Sequence, residues 1–222
     1  MNLLNYQQIV WDWNGTLLND VQLCADIMNN LLRKRSLPEL SLIKYRKIFT
    51  FPVKDYYIKA GHDFSTESFE VIGKEFMDEY ERRKYECKLF DSALKVLRLF
   101  KSVKINQYLL SAYKLESLNI IVKYFNVEEY FKKIYGLNHI YADEKLQLGR
   151  KLDHEINTDG KQNILMIGDT LHDYDVASEL GWDCLLISSG HQHKSVLKKT
   201  DVDIINNLNE LYKILIEEKV TG

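Results

Sequence analysis

The 222-residue chain is predicted to be an α/β protein: a parallel sheet covered by helices, interrupted near its start by an all-helical insert. Three observations predict it. A short apolar run at residues 9–11 stops at Asp12 and turns through Asn14 and Gly15. Residues from about 19 to about 88 show apolar positions at helical spacing and no strand signal. Beyond them helical and strand patterns alternate, which argues a parallel sheet covered on both faces.

Taken in order, residues 9–11 form the first strand, and Gly15 supplies the freedom for a tight βα turn. Val21, Cys24, Ala25, Met28, Leu31 and Leu32 recur at 3.6-residue spacing and mark the first helix. Shorter helices are expected at 42–49 and 53–60, separated by Thr50, Phe51 and Pro52. Phe69, Ile72, Phe76, Met77 and Tyr80 mark the last helix of the block. Then follow a helix at 93–100, a strand at 108–110, a helix at 118–124 and a strand at 134–135. A helix at 146–156, a strand at 164–167, a helix at 176–180, a strand at 184–187 and a closing helix at 208–216 complete the chain.

Composition narrows the function. The chain is 45% hydrophobic and 28% charged, with 30 basic against 32 acidic residues and a net charge of -2. That is ordinary globular composition, and no basic stripe points to a nucleic-acid or membrane partner. Arg33, Lys34 and Arg35 read as the solvated end of a helix. Cys24, Cys87 and Cys184 lack zinc or CxxC spacing and are expected to be reduced thiols. With no leader-like start and no apolar stretch near the roughly 20 residues that span a bilayer, a cytoplasmic protein is expected. Asn14, Gly15 and Thr16 also match the glycosylation acceptor pattern, which has no meaning in that setting.

Chemistry concentrates at strand ends. Asp12 sits at the carboxyl end of a strand, the edge where open α/β sheets bind ligands, and Gly15 is placed to let backbone amides face an anion. A second apolar run, 163–167, ends in Gly168 and Asp169, with Asp173 four residues on. Carboxylates converging on one edge repel unless a hard cation sits between them, which predicts Mg²⁺, an ion that prefers about six oxygen ligands. Between these runs, a third ends at Ser111, and Lys145 opens an amphipathic stretch after residues 141–144. Taken singly, Ser111 reads as a strand-end hydroxyl and Lys145 as a solvated helix start.

Residues 12–16, Asp-Trp-Asn-Gly-Thr, resemble the first motif of the haloacid dehalogenase-like superfamily, Asp-x-Asp-Gly-Thr, with Asn14 replacing the second aspartate. Ser111 resembles its second motif, Lys145 its third, and Asp169 with Asp173 its fourth, in the family's order. A helical block after the first strand is similar to the cap of the phosphoglycolate phosphatase-like branch. The resemblance implies a Rossmann-like core, residues 1–18 and 89–222, and a helical cap, residues 19–88. It implies an Mg²⁺-dependent phosphatase for a small phosphorylated metabolite, with Asp12 as nucleophile and Lys145 neutralising it. Asp12, the Asn14 carbonyl, Asp169 and Asp173 would hold the metal. Gly15, Thr16, Ser111 and Ala112 would hold the phosphate, and the cap segment 45–56, including Arg46 and Lys54, would face the substrate.

The family's second aspartate protonates the leaving group and activates water, and Asn14 cannot titrate. Four readings follow. In the first, a phosphatase uses a substrate with a good leaving group or borrows a proton from water, His172, His191 or His193, each expected at the surface. The second is phosphonate cleavage like that of phosphonoacetaldehyde hydrolases, with Lys54 forming a Schiff base, although Tyr57 stands where those enzymes have histidine. The third is a true dehalogenase, which the presence of Asp169 argues against. The fourth is a catalytically poor phosphate sensor. On the first reading, Asn14→Asp is expected to raise hydrolysis of alkyl phosphates most.

Overall fold

The computed structural model describes residues 2–137, 145–157 and 163–221. Its strands in chain order are β1 (Gln8–Trp11), β2 (Leu18–Asn19), β3 (Lys88–Leu89), β4 (Asn106–Lys114), β5 (Lys133–Leu137), β6 (Ile164–Gly168), β7 (Asp183–Ile187) and β8 (Asp203–Ile205). Six of them form one parallel sheet in the order β5-β4-β1-β6-β7-β8. β1 and β6 lie in its middle with every residue buried, which is why both read as unbroken apolar runs rather than alternating ones.

The pleat of these strands divides the core. Ile9, Trp11, Leu109, Ile167 and Ile187 face the side covered by α5 (Ala93–Ser102), α6 (Leu115–Tyr124) and α10 (Leu208–Thr221), where they meet Phe100, Ile121 and Leu211. Val10, Leu110, Met166 and Leu186 face the other side. There α7 (Lys145–Ile156) and α8 (Leu171–Leu180) present Leu152, Val176 and Ala177. A short α9 (Lys194–Leu197) follows β7.

Between β2 and β3 lie only helices and turns: α1 (Val21–Lys34), α2 (Leu42–Ile48), α3 (Val53–Ala60) and α4 (Phe69–Arg83). The apolar spacing read in the sequence becomes buried contact. Leu23, Ile27, Met28 and Leu31 of α1 share one cluster with Ile72 and Tyr80 of α4 and with Tyr45, Tyr56 and Tyr57. Ser41 and Ser68 accept hydrogen bonds from the backbone N–H groups of Lys44 and Val71, capping α2 and α4. Arg35 at the end of α1 ties to Glu67 and Glu75 at 2.6 and 2.9 Å.

Three features depart from the expected pattern. β2 and β3 pair antiparallel where the chain leaves and rejoins the core, Leu18 opposite Leu89. At two residues each, no periodicity could reveal them, and β8 and α9 are nearly as short. β4 runs through Lys114, with a register irregularity between Leu110 and Lys114. Cys24, Cys87 and Cys184 are buried free thiols. Among the described residues, no helix is long and apolar enough to cross a membrane.

Register is what positions the site. Trp11 lies opposite Leu109 on one side and Ile167 on the other. Asp12 therefore falls level with Leu110 and Gly168, and Ser111 and Asp169 project one residue further along the same carboxyl edge.

Candidate active site

Three buried carboxylates meet at that edge. One oxygen each of Asp12, Asp169 and Asp173 lies within 4.8 Å of the others. Lys145, only 2% exposed, enters from the first turn of α7 and donates to Asp12 Oδ1 at 2.5 Å and to Asp173 Oδ1 at 2.6 Å. Residues 141–144, expected to lead into Lys145, lie outside the described residues. Asp173 is also fixed from behind, because its Oδ2 accepts the backbone N–H groups of Asp169 and Thr170 and the Thr170 hydroxyl. Asp169 accepts the Thr16 hydroxyl on Oδ1 at 3.0 Å and the His191 N–H on Oδ2 at 2.5 Å.

Two glycines leave the room for this. Gly15, at φ +75°, and Gly190 both face Asp169, and a Cβ on either would collide with its carboxylate. The cradle is thus shaped from β1 and β7 together, around a side chain supplied by β6.

With all three ionised, the carboxylates exceed the one ammonium by two negative charges. Burial pushes the Asp12 carboxyl up to about 8, an effect Lys145 opposes and the neighbouring Asp173 and Asp169 reinforce. Burial likewise pushes Asp169 up to about 7, against the pull of His191. Asp173 moves the other way: burial disfavours its charge, but Lys145 and Thr170 hold it below the usual carboxylate range. Hard oxygen donors at this spacing, short of two positive charges, fit a divalent cation of Mg²⁺ type. Asp12, Asp169 and Asp173 are the side chains that could hold it.

The phosphate-side residues are placed less uniformly. Ser111 is buried on the edge next to Asp12, and its Oγ accepts the Tyr113 N–H at 3.2 Å, a bond that does not use its own proton. Ala112 follows it, partly exposed. Gly15 and Thr16 serve the site differently from the sequence expectation. The Gly15 N–H is taken by Leu18 O and Asp20 Oδ1, both at 2.9 Å, and the Thr16 N–H by Trp13 O, because the turn closes on itself. Gly15 contributes its missing side chain, and Thr16 its hydroxyl to Asp169.

Lys54 is not brought to the carboxylates. It is exposed on α3 with Nζ 5.6 Å over the Phe64 ring, since the buried face of that short helix belongs to Tyr56, Tyr57 and Ala60. The rest of segment 45–56 does dock beside the site. Arg46 donates to the carbonyls of Ser188, Gly190 and Gln192, and Phe51 stacks on His172 at 4.6 Å. The Arg46 guanidinium is therefore engaged with the loop after β7.

His191, expected at the surface, is buried, and it leads to residues the sequence reading missed. Its Nδ1 meets the Tyr45 hydroxyl at 2.8 Å and its Nε2 meets Asp20 Oδ1 at 3.1 Å. Burial opposes charge on both partners, yet the ion pair outweighs it, lowering Asp20 and raising His191. Asp20 Oδ2 accepts from the Asn14 amide at 2.7 Å and from the Tyr80 hydroxyl at 2.9 Å. Asp20 stands at the N-cap of α1, but its side chain makes no cap bond there. The available signal was Gly190 and His191 just past an apolar strand, on the same sheet edge as Asp12.

This fold and site define a class: an α/β protein with a lysine-bridged carboxylate cluster at the carboxyl edge of a parallel sheet, beneath a helical insert. The sequence model of haloacid dehalogenase-like hydrolases matches residues 9–187, and the chain belongs to that family. Solved structures share the fold. A haloacid dehalogenase-like family hydrolase from Streptococcus pneumoniae is 18% identical with a TM-score of 0.79, covering 94% of this chain and 97% of its own. A protein described as a predicted phosphoglycolate phosphatase from Haemophilus somnus is 18% identical with a TM-score of 0.74, over 94% and 97% of the two chains. Protein Tyrosine Kinase A from Mycobacterium tuberculosis is 20% identical with a TM-score of 0.76, over 95% and 98%. Such different descriptions on one fold mean that function has to be argued from the site. No curated protein matches the chain in sequence.

Proposed function

We propose that this chain is an Mg²⁺-dependent phosphatase that acts on a small phosphorylated metabolite through an aspartyl-phosphate at Asp12. The observation that carries this reading is the Lys145 ammonium bridging Asp12 and Asp173 beside Asp169, two charges short of neutrality. Asp12 attacks phosphorus in line, and the bond from phosphorus to the leaving oxygen breaks. Lys145 orients the nucleophile, and Ser111 donates to a phosphate oxygen. Bound Mg²⁺ supplies the charge that offsets the phosphoryl oxygens during transfer. Water then attacks the aspartyl-phosphate, releasing phosphate and restoring the Asp12 carboxylate.

Asn14 cannot lend the leaving oxygen a proton, help worth roughly 10² to 10⁴ in rate where the leaving group is poor. The proposed substrates are therefore phosphates with good leaving groups, such as acyl or aryl phosphates. The helices of residues 19–88 act as a cap that shuts water out, and the exposed position of Lys54 weighs against Schiff-base cleavage of phosphonates. The near-balanced charge and free thiols suit a cytoplasmic enzyme working on free metabolites.

The test is a panel of small phosphate and phosphonate esters with and without Mg²⁺. Chelation is expected to abolish turnover and added Mg²⁺ to restore it. Saturating Mg²⁺ should raise Tm by about 5–10 °C, since a ligand that binds only the folded state stabilises it. Turnover indifferent to chelator would overturn the metal part of the reading. Gly190→Ala should lower kcat about 10²-fold by displacing Asp169, the scale set by small misplacements of reacting groups. A variant with unchanged kcat and an unchanged Mg²⁺ response would show that Asp169 is not where the chemistry needs it.

A further inference from the structure

Position 14 carries an amide, and the structure supplies a reason. The Asn14 Nδ2 group sits 2.7 Å from Asp20 Oδ2 and 2.6 Å from the Tyr80 hydroxyl, which itself donates to the same Asp20 oxygen. Asp20 Oδ1 takes the Gly15 N–H at 2.9 Å and His191 Nε2 at 3.1 Å. Asp20 is 1% exposed, and apart from a 3.7 Å contact from the Cys24 thiol its charge is met by these donors. They come from the turn that follows Asp12, from α4 of the insert, and from the loop after β7, whose His191 also binds Tyr45 of α2. Asp20 is the residue at which the nucleophile turn, two helices of the insert and the opposite side of the cradle are joined.

We propose that Asp20 is a positioning residue matched to Asn14: it requires a donor amide at position 14 and, through that amide and Tyr80, fastens the helical insert over Asp12. A carboxylate at position 14 would set an acceptor against Asp20 Oδ2, where the amide now donates at 2.7 Å, so that the buried oxygen loses its bond. The Asn14→Asp gain expected from the sequence alone is therefore opposed by Asp20. Exchanging the two side chains restores the pattern with its polarity reversed. An amide at 20 can donate to a carboxylate at 14 while its oxygen still accepts from Gly15 and His191, and Tyr80 can donate to position 14.

The experiment is a cycle of the parent, Asn14→Asp, Asp20→Asn and the double exchange, each checked by intact mass because Asn-Gly sequences deamidate. Thermal melts and deuterium exchange are read without substrate. Asn14→Asp is expected to lower Tm by about 5–10 °C and speed exchange around Tyr80, with the double exchange recovering more than half of the loss. Simple additivity, or an Asn14→Asp variant as stable as the parent, overturns the match. The second reading uses acetyl phosphate with Mg²⁺ and rests on the phosphatase proposal. Asn14→Asp should raise KM about tenfold with a smaller change in kcat, and the double exchange should bring KM back. An active parent whose KM is unmoved in Asn14→Asp overturns the positioning role. Coupled melts with no turnover by any protein of the cycle, parent included, would uphold the Asn14–Asp20 match and overturn the phosphatase reading instead.

Discussion

Asp12→Ala is expected to leave a folded protein whose turnover of any phosphate substrate falls by roughly 10⁴-fold or more, the scale of loss when a covalent nucleophile is removed. Among the described residues, neither other carboxylate of the cluster can stand in. Asp173 is held by Lys145, Thr170 and the Asp169 backbone, and Asp169 by Thr16 and His191. The fold should not suffer, because Lys145 keeps its bond to Asp173. In metal-free protein a gain in stability is expected. Burial raises the Asp12 carboxyl from its ordinary value to about 8, so the folded state binds this proton more tightly than the unfolded state. Its contribution to stability is full at low pH and is lost as pH rises between about 4 and about 8. At pH 7.5 the parent carries most of that cost and Asp12→Ala carries none. Melts in chelator, together with intact-mass detection of a phosphorylated parent, check both halves. Residual turnover within tenfold of the parent would remove Asp12 as nucleophile.

Lys145→Met is expected to be the most damaging substitution to stability. It leaves Asp12 and Asp173 buried without their shared cation, a loss on the order of 3–5 kcal/mol for a broken buried pair, or about 10–15 °C in Tm for a chain of this size. Lys145→Arg should not rescue it. The ammonium contacts both carboxylates at 2.5 and 2.6 Å from a position only 2% exposed, which leaves no space for a planar guanidinium. Saturating Mg²⁺ should return part of the lost Tm, because it offers the same carboxylates a counter-charge. A fall of less than about 3 °C, on the same scale, would mean that the carboxylates are solvated and that this account of the site is wrong.

Much of the site was legible because three of its parts follow apolar runs. Asp12, Ser111 and Asp169 each follow an apolar run, and a parallel sheet sends such ends to one edge. Gly15 was legible as a turn residue, but not the contacts that the turn makes. Nothing local shows that its amide is consumed by Leu18 and Asp20, or that its missing side chain makes room for Asp169. Lys54 was singled out for its place after Pro52. Which way α3 turns depends on Tyr56 and Tyr57, whose burial against the rest of the insert left Lys54 on the outside. His191 was taken for a surface residue because a lone histidine after a strand carries no periodic signal.

The amino-acid sequence by itself determined the α/β class, the helical insert, the apolar runs that lead to Asp12, Ser111 and Asp169, the nearby Asp173, and the amide at position 14. These follow from patterns within a few residues, set by backbone geometry and apolar periodicity. Only the tertiary structure decided what that amide does. Asn14 and Asp20 share the connection between β1 and α1, but Tyr80 and His191 come from two other segments, and the four are joined because packing α4 and the loop after β7 against the β1 turn buries a carboxylate that must then be given donors. Hydrogen-bond partners distant in the chain leave no spacing for a sequence to display. They are chosen by what the fold has removed from water.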